Sequence, residues 1–365
     1  MSATGVYRFK RSQLEINLKE ISDTLNFESN TFQLSYSIKA NYNDQLIDVL
    51  NKRGSHFDCA SQYELFHLLQ LEIPKNKIRI STPYISDYFF RQILDHGLFF
   101  YADSIDQIIQ LQSIADKRAL FEIGLRFCMP GHPSRFGIEP TRDNFRLIKD
   151  TIGSTDCISI TGMSMHYSEA DRSASKFSER VEAFLEAYNV AKEYFEISIL
   201  NFGGGFAGKM SERLSRDFDY KIPTWNDYAS AIKGGLERHA INGKQIYIEP
   251  GMALAADAFD YMAEVILIKR NFKETIAVLN TSTLFLKPTG HKRPLDFEII
   301  NEGETSYKAT DFTLVGKSCM EMDVLGSHYG QLEVGDKVLF KNVGAYTMSY
   351  RDSFIFKTPE VLAAD

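Results

Sequence analysis

With 365 residues, 44% of them hydrophobic and 24% charged, the chain is long enough for one large folded unit and a smaller one, and too balanced for a disordered or fibrous protein. A net charge of -7 argues against a polyanion-binding surface, so nucleic acid is not an expected partner. The four cysteines, Cys59, Cys128, Cys157 and Cys319, contain no CxxC pair and predict neither a metal site nor a disulfide framework. No apolar run approaches the ~20 residues a membrane span requires, which leaves a cytoplasmic protein as the expectation.

Val6-Tyr7-Arg8-Phe9 reads as a short strand, and Leu14, Ile16, Leu18, Ile21 and Leu25 predict a helix after it. A rhythm then begins. Leu34, Tyr36 and Ile38 alternate with smaller polar residues in a strand that ends on Lys39, just before a polar turn. Further β-rich runs follow at about 55–60, 77–82, 98–103, 121–127, 158–166, 197–202 and 245–249, with amphipathic stretches in most gaps. Ser61 with Glu64, and Ser104 with Gln107, have capping-box spacing. Ser178 opens a predicted helix whose Val181, Phe184, Leu185, Tyr188, Ala191 and Phe195 share one face. Eight strand and helix repeats with short links predict a parallel sheet closed into a (β/α)8 TIM-type barrel over residues 24–252.

After Ala253 the pattern changes. Ala263–Ile268, Thr275–Leu279, Phe297–Ile300, Phe312–Val315 and Val338–Phe340 are strand-like with few helices between them, and Gly335-Asp336 reads as a turn into the last. A mostly-β domain over 253–365 is expected, with the 1–23 segment joining it.

In such a barrel Lys39, His166, Gly203-Gly204-Gly205 and Glu249 fall at the carboxyl ends of strands one, six, seven and eight, which share one face. Each has an ordinary alternative: a solvated lysine, a hydrogen-bonded histidine, a glycine turn, a structural ion pair. Convergence favours chemistry. The three glycines let a turn present amides to a phosphate without side-chain obstruction. Glu249 before Pro250-Gly251 is a carboxylate held at a rigid strand exit, suited to a protonated ring nitrogen. Cys319, isolated among Gly316-Lys317-Ser318-Cys319-Met320-Glu321-Met322-Asp323, is a small hydrophobe or a reactive thiol, and Tyr346 in Gly344-Ala345-Tyr346-Thr347 is core packing or a phosphate-bonded phenol.

These residues carry a resemblance. In chain order Tyr36–Asn41, Ser134-Arg135-Phe136-Gly137, Gly162–His166, Gly203–Phe206, Glu249-Pro250-Gly251, Cys319–Asp323 and Gly344–Thr347 resemble the fold-type III pyridoxal-phosphate decarboxylases, the ornithine, arginine and diaminopimelate enzymes related in barrel fold to alanine racemase. The resemblance implies a pyridoxal 5'-phosphate cofactor, a small amino-acid substrate and a homodimer with shared active sites. It makes Lys39 the lysine that condenses with the cofactor aldehyde, His166 the residue stacked on its ring, and Glu249 the partner of its ring nitrogen. Gly203, Gly204 and Gly205 become the loop that holds its phosphate, with Tyr346 as phenolic partner, and Gly251 a further cofactor-binding residue. Cys319 becomes the residue acting on the substrate α-carbon, with Arg135, Met320 and Asp323 near the substrate.

Three departures bear on substrate choice. Met320 stands where ornithine and diaminopimelate decarboxylases carry an acid, Met252 replaces the arginine after Glu-Pro-Gly, and Tyr167-Ser168 replaces Gly-Ser after the histidine. A thioether does not pair with an ammonium. Lys287, His291, Lys292, Arg293 and Lys317 form either a solvated face or a pole for extra carboxylates. The segment from Cys319 to Asp323-Val324-Leu325-Gly326 also resembles the branch that decarboxylates citrate-conjugated amino acids in carboxylate siderophore synthesis, and that resemblance implies decarboxylation of an N-acylated, acid-rich diamino acid of the citryl type. Rival readings are an ornithine/lysine, diaminopimelate or carboxynorspermidine decarboxylase and, outside catalysis, a decarboxylase-like regulator. A racemase would need a second base in place of the cysteine loop.

Overall fold

The computed structural model describes residues 4–115, 120–132, 134–153, 157–167, 171–216, 218–271, 274–290, 294–300 and 310–365. They fall into two compact units, one of residues 18–207 with 220–251, the other of 1–17, 208–219 and 252–365.

The first unit is the predicted barrel. Numbering strands along the whole chain, with Val6–Phe9 as β1, its members are β2 (Thr31–Ser37), β3 (His56–Cys59), β4 (Ile78–Ser81), β5 (Phe99–Ala102), β6 (Phe121–Phe127), β7 (Ile158–Met165), β8 (Ile199–Asn201) and β9 (Gln245–Ile248). All pair in parallel, and β9 closes on β2 with Gln245 opposite Thr31. Seven longer helices fill the gaps, from Asp44–Lys52 to Trp225–Arg238, and their apolar stripes face the strands.

Local signals explain where most helices begin. Ser61 and Ser104 accept the amides of Glu64 and Gln107, as the capping spacing predicts, but the returning side chains bond the amides of Ala60 (2.5 Å) and Asp103 (2.8 Å), one residue ahead of the cap. Ser178 is not a helix start. The helix runs Ala174–Ala191 and is capped by Ser173, which accepts the Lys176 amide; the predicted face from Val181 to Ala191 is buried, while Phe195 lies beyond the helix.

The second unit is an eight-stranded, mostly antiparallel sheet. Along its main path run Phe297–Ile300 (β12), Lys337–Phe340 (β15), Phe259–Asn271 (β10), Glu274–Leu279 (β11), Thr310–Val315 (β13) and Val324–Gly330 (β14). β10 is long enough to serve two neighbourhoods. Its first half pairs with β1 (Val6 opposite Met262) and β15, its second with β11, and the register shifts between Val265 and Leu267. Val361–Ala363 (β16) lies parallel to β1. Residues 208–219 fall inside the predicted barrel span yet group here, because Gly208 packs on Met252 and Ala256 and the Arg213 guanidinium lies over the Phe297 ring. Among the described residues no helix is long and apolar enough to cross a membrane.

Candidate active site

The predicted strand ending on Lys39 stops at Ser37, and Ile38–Ala40 form a single 3-10 turn. The buried Tyr36 hydroxyl donates to the Asn41 carbonyl at 2.9 Å, and Asn41 Oδ1 accepts the Asn43 amide at 3.0 Å. Asn43 in turn caps the next helix. The turn is thus fixed on both sides, with Lys39 half-buried and its Nζ 3.9 Å from Asp58 Oδ2. Asp58, at the end of β3, is 2% exposed and accepts from the Ser37 hydroxyl at 3.2 Å. Burial pushes its carboxyl upward against the opposing pull of Lys39, Ser37 and Arg126. Gly251 lies against this turn, since a Cβ there would stand 2.8 Å from the Ala40 methyl.

Glu249 follows β9 and is 6% exposed. Its Oε1 accepts from the Asn201 side-chain amide at 2.6 Å, and its backbone amide donates to the Gly203 carbonyl at 2.7 Å. Burial, then the charge of Asp58, pushes its carboxyl up to about 7, with Lys39, Asn201 and Arg126 pulling the other way. His166 follows β7 directly and is half-buried. Burial first, then Lys39, Arg180, Arg126 and Arg172, holds its pKa well below the usual imidazole range, so the ring is neutral.

In the glycine turn after β8, two of the three amides have partners within the protein. The Gly203 amide donates to Asn201 Oδ1 at 2.9 Å and the Gly204 amide to His166 Nδ1 at 3.0 Å. The second contact leaves Nδ1 as the acceptor and the ring proton on Nε2. Asn201, which no feature of the sequence singles out, joins Glu249 to the turn.

Two arginines, Arg126 and Arg180, were missed in the sequence. Arg126 on β6 is 8% exposed, stands 3.1 Å from Asp103 Oδ1, and lies over the Phe136 ring at 4.8 Å. Arg135 stacks on the same ring at 4.3 Å but is exposed. Arg180 bonds the backbone of the glycine turn. The available signal was a charged residue at or near several strand exits, Asp58 and Arg126 among them, because those ends share the face that holds Lys39.

In the β unit Cys319 is exposed and Met320 half-buried. Asp323 is 2% exposed and turns inward. One carboxylate oxygen accepts from the Ser282 hydroxyl (3.2 Å) and the Thr283 amide (2.7 Å), the other from the Ser318 amide (3.2 Å). It holds its own loop rather than presenting an acid to solvent. Tyr346 is half-buried in a left-handed backbone conformation, φ 58°. Lys287 and Lys317 have their ammonium pKa lowered by burial, and Lys317 lies over the Phe356 ring at 4.8 Å. His291, Lys292 and Arg293 lie outside the described residues, as does Ser168.

The family model described as the pyridoxal-binding domain of pyridoxal-dependent decarboxylases matches residues 11–256. The chain is 23% identical to the 2-[(L-alanin-3-ylcarbamoyl)methyl]-2-hydroxybutanedioate decarboxylase of Staphylococcus aureus, over 96% of this chain and 91% of that protein. It is 24% identical to the diaminopimelate decarboxylase of Archaeoglobus fulgidus, over 94% and 84% respectively. The solved diaminopimelate decarboxylase of Helicobacter pylori (I148L mutant, complexed with L-lysine) superposes with a TM-score of 0.84 at 19% identity, covering 99% of this chain and 92% of that one, a likeness of fold.

Proposed function

The chain belongs to the pyridoxal-dependent decarboxylases, and from that premise we propose that it removes carbon dioxide from an amino acid whose distal amine is masked by an acyl group rich in carboxylates. The residues present fit the cofactor of the family. Asp58 Oδ1 and the Ser164 hydroxyl are buried in the barrel with no hydrogen-bond partner among the described residues. Glu249 has a proton affinity near neutrality, suited to sharing a proton with a ring nitrogen. When bound, the cofactor supplies an electron sink for the pair left behind by departing carbon dioxide.

The chain's own groups then have separate tasks in this reading. Lys39 supplies the amine that anchors the aldehyde, and Asp58 keeps that amine in place. His166, neutral and fixed by the Gly204 amide, offers a flat face to an aromatic ring without adding charge. Glu249 holds a proton at the ring nitrogen, and Asn201 fixes its carboxylate. A second copy of the chain supplies Cys319, whose thiol returns a proton to the substrate α-carbon.

Met320 is the observation that carries the substrate assignment. A half-buried thioether beside Cys319 offers nothing to a free ammonium, and it suits an amide-linked chain. The Staphylococcus aureus relative, whose name describes a substrate that joins a 2-hydroxybutanedioate to an alanyl group through a carbamoyl link, supports the same class. The reading makes the substrate a siderophore precursor of the citryl-diamino-acid kind and the product the corresponding citryl-amine.

Carbon dioxide release over a panel of citryl-diaminopropionate, citryl-ornithine, ornithine, lysine, arginine and diaminopimelate tests it. The citryl conjugates should turn over best, and Met320→Asp should move preference toward the free diamino acids. Fastest turnover of ornithine or lysine by the unaltered protein would overturn the masked-amine assignment and leave a polyamine-type decarboxylase.

A further inference from the structure

We propose that Arg180 is a positioning residue for the phosphate end of the cofactor: it bridges the loops after β7 and β8 and aims the one glycine-turn amide left for an oxyanion. The proposal rests on the cofactor reading above and adds the residue that prepares its anionic subsite.

Arg180 lies in the helix Ala174–Ala191 and is 7% exposed. Its Nη1 donates to the Tyr167 carbonyl and its Nη2 to the Gly204 carbonyl, each at 2.9 Å. One planar fork therefore ties the chain just after His166 to the glycine turn, a geometry that suits guanidinium and not ammonium. The Phe177 ring, 4.7 Å from the guanidinium carbon, fixes the fork from its face.

The turn has little else to give an anion. The Gly203 amide is bound to Asn201 and the Gly204 amide to His166. Among the described residues the Gly205 amide meets no acceptor. A trans peptide sets its carbonyl and amide on opposite sides, so holding the Gly204 carbonyl on the Arg180 side turns the Gly205 N–H the other way. Gly205 has φ +89°, and a Cβ there would come 3.0 Å from Arg180 Nη1, so the fork and the glycine fit only together. On the Arg180 side of the turn, Arg172 and Lys176 gather beside Gly205 with Tyr228 and the opposing Asp171. The chain lacks the arginine expected at position 252, and Arg180 brings a cation to the turn instead.

The test compares binding of pyridoxal phosphate with that of pyridoxal, which lacks the phosphate, by absorbance titration of the full chain. Unaltered protein should prefer the phosphorylated form. Arg180→Met should cut that preference by about tenfold while leaving pyridoxal affinity within about twofold. Arg180→Lys, which keeps charge and one bond but not the bridge, should lose several-fold, and it carries the test if the methionine variant does not fold. Equal loss of both ligands would make Arg180 merely structural, and an unchanged preference would remove it from the subsite; either overturns the proposal. If the unaltered protein takes up neither compound, the cofactor reading fails first and the positioning role goes with it.

Discussion

Asn201 donates its side-chain amide to Glu249 at 2.6 Å and accepts the Gly203 amide at 2.9 Å, so one buried residue sets both the carboxylate at the end of β9 and the turn after β8. Its bond to Glu249 favours the charged carboxylate. Asn201→Leu keeps the size and removes both bonds. It should weaken pyridoxal-phosphate binding by about ten- to a hundredfold, as loss of a bond supporting a ligating group commonly does. Absorbance titration of the variant checks this; cofactor affinity equal to that of the unaltered protein would show that the carboxylate needs no support.

Glu249 gives the protein a pH dependence of known sign. Its folded value of about 7 lies above the ordinary carboxyl value of 4.5, so the folded state holds the proton more tightly. The stabilisation is fully present below about pH 4.5 and is lost as pH rises through about 7, a change on the order of 3 kcal/mol. Urea unfolding of the cofactor-free protein between pH 5 and 8 should show it as a difference between the unaltered chain and Glu249→Gln. Measured against Glu249→Gln, whose side chain does not titrate, the unaltered chain should lose stability as pH rises from 5 to 8, and a constant offset would place the proton elsewhere.

The barrel was legible because its strands repeat at short intervals and two of its helices open on serines with capping spacing, Ser61 and Ser104. The charged interior was not. Arg79 stands between Ile78 and Ile80, and in sequence it reads as the outward residue of an alternating strand. Instead it is 7% exposed and enclosed by the rings of Phe99 and Tyr247. Alternation states that two faces differ, and only barrel closure decides which face is inside. The glycine run could be read as a turn, whereas the capture of two of its amides depends on His166 and Asn201, one of them 38 residues away. Asp323 was legible as part of the cysteine loop, but its inward orientation is set by Ser282 and Thr283, some 40 residues upstream.

Arg79 leads to a stability prediction. Its Nη2 donates to the Tyr247 hydroxyl at 2.6 Å inside the barrel, where its Nε has no partner among the described residues. Tyr247→Phe keeps the ring beneath the guanidinium and removes the acceptor. A second buried donor is then stranded, and the protein should lose about 1–3 kcal/mol in urea unfolding. Loss below about 0.5 kcal/mol would mean that water or a neighbour takes over the bond.

Asp323 holds the loop that carries Cys319. Its two oxygens accept from Ser282, Thr283 and Ser318, and the Gly316 amide bonds its carbonyl at 2.8 Å. Asp323→Ala strands those donors, at a cost of about 2 kcal/mol or more in stability, and frees the segment from Gly316 to Met322. Cys319 is already exposed while Cys59 and Cys157 are buried, so alkylation followed by peptide mass analysis reads the loop directly. The Cys319 rate should change at least severalfold in the variant, and carbon dioxide release should fall with little change in cofactor affinity. If Cys319 reacts at its original rate while turnover still collapses, Asp323 acts on the substrate itself and not through the loop.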